Sequence, residues 1–184
     1  FNLSASPEVI GKHDTLRHIV SQHSMRTHTA YVYVSSGFGE SSADVVFAGN
    51  SFVQLPITTD YVSAKMFLSS ISTQSVPIQG TAIGEAINTA LRSFSAQSDK
   101  SRAIIVITDG ENHEDDPVAA ASQAAELGVR VFTIGVGSPE GKMIPFEGDY
   151  MRDKEGNPVV TRLDESVLQE VAAAGKGLYV RAGN

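Results

Sequence analysis

With 184 residues the chain has the length of one ordinary domain, able to bury roughly 70% of its unfolded surface without disulfide or metal staples. It contains no cysteine, which excludes a disulfide framework and thiolate metal sites and leaves the redox compartment open. Fourteen basic against 21 acidic residues give a formal charge of -7, which opposes binding to nucleic acid or anionic lipid surfaces. No apolar run approaches the ~18 residues that span a bilayer, and the first residues lack the basic-then-apolar order of a signal peptide.

From the amino end, Ser6 as N-cap with Pro7 in the first turn predicts a helix carrying Val9, Ile10, Leu16, Ile19 and Val20. Gly11 and the Gly- and Ser-rich stretch 35–42 make the region 7–43 irregular. Residues 31–34 (Tyr-Val-Tyr-Val) and 44–49 have strand composition and are close enough for a hairpin. Residues 52–56 read as an edge strand, because Pro56 removes a ladder donor. Thr58 or Thr59 is expected to cap a helix that turns Tyr61, Val62, Ala64, Met66, Phe67 and Ile71 to the core. After a loop at 72–80, a helix from Thr81 to about Phe94 places Ile83, Ala86, Ile87, Ala90, Leu91 and Phe94 on one face. Gly84 inside it predicts close packing against the sheet.

The run Ala103-Ile104-Ile105-Val106-Ile107 reads as a strand buried on both faces of a parallel sheet, and Thr108-Asp109-Gly110 sets a carboxylate at its carboxyl end. A polar loop at 110–116 leads to a helix with Asp116 as N-cap, Pro117 as first residue and Gly128 as stop. Residues 129–137 form another buried strand. The stretch 138–162 breaks the rhythm: Ser138-Pro139-Glu140-Gly141 is turn chemistry, and Lys154-Glu155-Gly156-Asn157 lies between two short strand-like runs. Asp164 caps a last helix through Ala174, and 178–180 is a closing edge strand. The alternation predicts one α/β domain from 1 to 184: a doubly wound, mostly parallel, Rossmann-like sheet with helices on both faces and a β-hairpin insertion near 144–162.

Three oxygen-rich segments would gather at one edge of such a sheet: Asn2-x-Ser4-x-Ser6, the loop with Gly80-Thr81, and Thr108-Asp109-Gly110. Here the chain resembles the von Willebrand factor A-type (vWA) domain, whose metal-ion-dependent adhesion site uses Asp-x-Ser-x-Ser, a threonine from a second loop and an aspartate from a third. The segments 46–49, 54–61, 79–84, 107–114 and 135–141 are similar to the membrane-anchored vWA proteins of the bacterial aerotolerance type, the BatB-like members in particular. The likeness covers about 44–184 and leaves 1–43 atypical.

The resemblance implies a divalent ion, Mg²⁺ or else Mn²⁺ or Ca²⁺, held by Asn2, Ser4, Ser6, Thr81 and Asp109. These are hard oxygen ligands of the kind such ions take, and Mg²⁺ keeps several waters. The implied function is non-catalytic: a protein partner supplies a carboxylate to the open coordination position. It further implies anchorage in a bacterial inner membrane, by segments not among these residues, with the domain facing the periplasm. One departure stands out. Asn2 occupies the family's aspartate position, keeping an acceptor oxygen but losing a charge, which is expected to weaken the ion. A metal-free scaffold is therefore the alternative, and a metal-assisted hydrolase a lesser one, since no nucleophile is paired with a base.

Other patterns are set aside on geometry. His13, His18, His23 and His28 recur every five residues, a step that rotates each by about 140° on a helix, so neighbours share no face. Neither Gly80-x-x-x-Gly84 nor Gly135-Val136-Gly137 matches a nucleotide fingerprint.

Overall fold

The computed structural model describes residues 30–36, 41–71, 80–94, 101–112, 115–146, 149–152 and 155–182. The expected helix near 7–20 and the candidate ligands Asn2, Ser4 and Ser6 lie outside the described residues.

The fully apolar run after Arg102 forms the inner strand of the six-stranded sheet, as continuous burial on both faces requires. In chain order the main strands are β1 (Ala30–Ser36), β2 (Ser41–Phe47), β3 (Ser51–Thr58), β4 (Arg102–Thr108), β5 (Val129–Gly135) and β10 (Lys176–Arg181). They stand in the order β10-β5-β4-β1-β2-β3. β5 is parallel to both β4 and β10, while β1 is antiparallel to β4 and β2, and β2 to β3. Thus β2, β4, β5 and β10 share one direction, and the expected doubly wound α/β class holds. β1 and β2 pair as the close spacing predicted, from Ala30 opposite Phe47 to Ser36 opposite Ser41. β3 is the edge strand that Pro56 implies.

Among the described residues four helices accompany the sheet: α1 (Tyr61–Ser70), α2 (Ile83–Ser93), α3 (Pro117–Glu126) and α4 (Glu165–Ala174). The period-two alternation of the strands sends Val45 and Phe47 of β2, Ile104 and Val106 of β4, and Val129 and Val131 of β5 to one face. There they meet Ile83, Ala86, Ile87 and Ala90 of α2, the alanines of α3, and Leu168 and Val171 of α4. The small α3 residues Ala120, Ala121 and Ala124 let that helix lie close. On the opposite face Ile71, directly after α1, packs with Val46, Ile107 and Val136.

Two expectations for α1 are corrected. Its cap is Asp60, whose Oδ1 accepts from the amides of Val62 (3.0 Å) and Ser63 (3.1 Å); Thr58 Oγ1 instead accepts from the Asp60 amide at 3.1 Å. A carboxylate adjoining the first turn reaches two free amides and complements the helix dipole, which a hydroxyl two residues back does not. The helix also turns Val62 (79% exposed) and Met66 (66%) outward, with Phe67 partly so, while Ala64 and Ile71 are buried as expected. In α2 the expected apolar face is confirmed, but Gly84 packs elsewhere than predicted. A Cβ there would stand 3.0 Å from Asp115 Cγ and the Asp116 carbonyl oxygen, so glycine admits the loop before α3 rather than the sheet.

The insertion between β5 and α4 is two small antiparallel pairs. β6 (Lys142–Met143) pairs with β9 (Val160–Thr161), and β7 (Pro145–Phe146) with β8 (Asp149–Tyr150). An isolated bridge joins Arg152 and Pro158.

Candidate metal centre

The carboxyl ends of β2, β4 and β5 form one rim, the edge where open α/β sheets hold ligands. Asp109 is the first residue past β4. Its backbone is fixed from both sides: the Val136 amide donates to the Thr108 carbonyl at 2.9 Å, and the Asp164 amide to the Asp109 carbonyl at 2.8 Å. Gly110 turns the chain with φ +82°, and a Cβ there would fall 2.5 Å from the Asp164 carbonyl oxygen. No other residue fits that turn.

The half-buried Asp109 carboxylate accepts the Thr161 hydroxyl at Oδ2, 3.1 Å. Its Oδ1 takes longer bonds from the Glu111 amide (3.3 Å) and the Thr108 hydroxyl (3.4 Å). Burial pushes its pKa up, and the neighbouring Glu111 charge pushes the same way; the three hydrogen bonds pull it back in part.

Thr81 lies in the loop before α2, two residues from an amide bound by the Asp109 loop. The Ile83 amide donates to Asn112 Oδ1 at 3.1 Å, and the Ala82 amide to the Ala48 carbonyl, just past β2, at 2.8 Å. Thr81 does not cap α2: the helix begins at Ile83, and its N-cap residue Ala82 has no side chain for the task. Asp115 supplies the cap from across the loop, its two oxygens accepting from the amides of Gly84 (3.0 Å) and Glu85 (2.6 Å). Asn112 Nδ2 holds the Asp115 carbonyl at 2.8 Å. The Thr81 hydroxyl is left without a hydrogen bond among the described residues.

The donors at this rim suit a hard cation. A half-buried carboxylate beside a second carboxylate is held here without a cationic partner among the described residues, whose ion pairs are Arg92–Glu85 and Arg152–Asp149. A divalent ion would supply the missing positive charge. No cluster of three or more acidic, histidine or cysteine side chains gathers among the described residues. The described donors are one carboxylate and nearby hydroxyls, a sparse set that suits an ion keeping several of its waters.

Two features escaped sequence reading. Thr161 reaches Asp109 across 52 positions, and Asp115 caps a helix 31 positions upstream, so no local pattern encodes either contact.

A sheet of this order, with helices on both faces and an acidic loop at its carboxyl rim, is that of an open, doubly wound α/β domain. The family model for the von Willebrand factor type A domain matches residues 39–145, and the chain belongs to that family. It is 52% identical to BatB, a conserved hypothetical protein of Bacteroides thetaiotaomicron, whose crystal structure superposes with a TM-score of 0.77 over 93% of this chain and 80% of that one. It is 47% identical to an aerotolerance-related membrane protein of Bacteroides fragilis, solved with multiple mutations to serines (TM-score 0.75, 93% of this chain, 81% of that one). An uncharacterised protein of Borreliella burgdorferi is 28% identical over 151 residues, 80% of this chain. The chain spans only 43% of that relative's length. No helix among the described residues is long and apolar enough to cross a membrane.

Proposed function

We propose that this domain is a non-catalytic interaction module that holds a divalent cation, Mg²⁺ first, at the carboxyl rim of its sheet and offers it to a carboxylate on a protein partner. The observation that carries the reading is the partly buried Asp109 carboxylate, which lacks a cationic partner among the described residues and whose loop, through Asn112, binds the Ile83 amide two residues from Thr81. Asp109 and Thr81 would hold the ion, with Asn2, Ser4 and Ser6 completing the set. The cation would supply a Lewis-acidic position open to one further oxygen. The protein's residues orient that position and keep it at the rim. The likeness to a membrane protein related to aerotolerance supports a domain tethered to a bacterial membrane, which on this reading faces the periplasm.

Titration with MgCl₂ by calorimetry tests the reading. The unaltered protein is expected to bind, with Asp109→Ala giving no measurable heat and Thr81→Ala weakened by about ten-fold or more. Equal heats for all three proteins overturn it. Asn2→Asp separates the metal-free scaffold reading: added ligand charge should tighten the ion, whereas an unchanged titration favours the scaffold.

A further inference from the structure

We propose that Thr161 is a positioning residue of the Asp109 site, and that through it the 142–161 insertion tightens onto the rim when a divalent cation binds. The inference rests on the metal-binding reading above.

The insertion has little to hold it in place by itself. Its strand pairs are two residues long, and Met143 (42% exposed), Tyr150 (44%), Met151 (38%) and Val160 (46%) bury only part of their surface. Segments with so little apolar burial open at low free energy. Two bonds tie its carboxyl end to the loop after β4. The Thr161 hydroxyl donates to Asp109 Oδ2 at 3.1 Å and the Arg162 amide to Glu111 Oε1 at 2.8 Å.

Of the two Asp109 oxygens, Oδ2 has the shorter bond, and it comes from a side chain on the insertion. That bond fixes the plane of the carboxylate. Each carboxylate oxygen has two lone pairs, so the hydroxyl leaves room for a cation. A cation on the remaining lone pairs would hold the same carboxylate in one orientation, so the acceptor that Thr161 reaches stays in place, and Thr161 in turn keeps that carboxylate facing the cation. Binding and the seating of the insertion therefore support each other.

Thr161→Val keeps the shape and removes the donor, while Thr161→Ser keeps the donor. We expect Thr161→Val to bind Mg²⁺ about ten-fold or more weakly than the unaltered protein, and Thr161→Ser to regain most of that loss. Hydrogen exchange at the amides of 142–161 should slow on adding MgCl₂ in the unaltered protein and in Thr161→Ser, but not in Thr161→Val. A Thr161→Val affinity within about two-fold of the original, or Mg²⁺-slowed exchange in that variant, overturns the inference and leaves the metal reading standing. Failure of the unaltered protein to bind Mg²⁺ overturns the metal reading and this inference with it.

Discussion

In the half of the sheet formed by β4, β5 and β10, α3 and α4 start on Asp116 and Asp164, and Ala121, Ala124, Leu168 and Val171 on their inner faces are buried. In the half formed by β1, β2 and β3, α1 leaves Val62 and Met66 in solvent, and β2 meets β3 through register shifts around Asp44. Asp44 is 4% exposed, and its Oδ2 has no hydrogen-bond partner among the described residues. Asp109 has three donors and a rim position, whereas Asp44 sits mid-strand. The contrast is between α4, whose Leu168 and Val171 are buried beneath the Asp109 rim, and α1, which leaves apolar residues in solvent on the half that buries the Asp44 carboxylate.

The sharpest test of that contrast is paired truncation. Leu168 is fully buried and packs against Gly110, so Leu168→Ala should cost about 4 kcal/mol, while Met66→Ala should stay within about 0.5 kcal/mol. Denaturant unfolding measures both, and equal losses would dissolve the distinction between the halves. Next in size is the pH response of the antiparallel half. Burial raises the Asp44 pKa from 3.8 to about 6. Below about pH 3 the group is largely protonated in both states. As pH rises towards 6 the unfolded chain ionises first, so stability falls by about 3 kcal/mol and then levels off. Asp44→Asn should abolish that decline, read as the difference between the two proteins' stability curves; parallel curves would place the titration elsewhere. The smallest effect concerns Asp115→Ala, which strips two amides at the start of α2 of their acceptor and should cost about 1 kcal/mol of unfolding free energy. An unchanged midpoint would mean that water caps the helix equally well.

Much of the parallel half was legible because its signals are adjacent in sequence. Asp116-Pro117 and Asp164-Glu165 announce their helices, and five consecutive apolar residues after Arg102 announce the inner strand. The position of Asp109 at a strand end follows from the same run. What escaped depends on distant partners or on exposure. The apolar residues of α1 suggest a core face, yet burial depends on what covers them, and Val62 and Met66 have no such cover. Asp60 was passed over for two threonines of the same capping class, a choice that only the position of the first helical amide resolves. Gly84 signals a close approach without naming the neighbour, and Thr161 signals nothing until the insertion folds back.

The neck of the insertion carries a consequence for how such a rim diversifies. The Leu163 amide donates to the Ser138 carbonyl at 3.1 Å, and the Asp164 amide then binds the Asp109 carbonyl, so the two ends are pinned together whatever lies between them. Closing a flexible loop costs only about 0.6 kcal/mol more for each doubling of its length. Segments of different length and composition can thus be spliced between 141 and 160 at little thermodynamic penalty. The sheet beneath stays the same, and the surface of the insertion is the part free to vary.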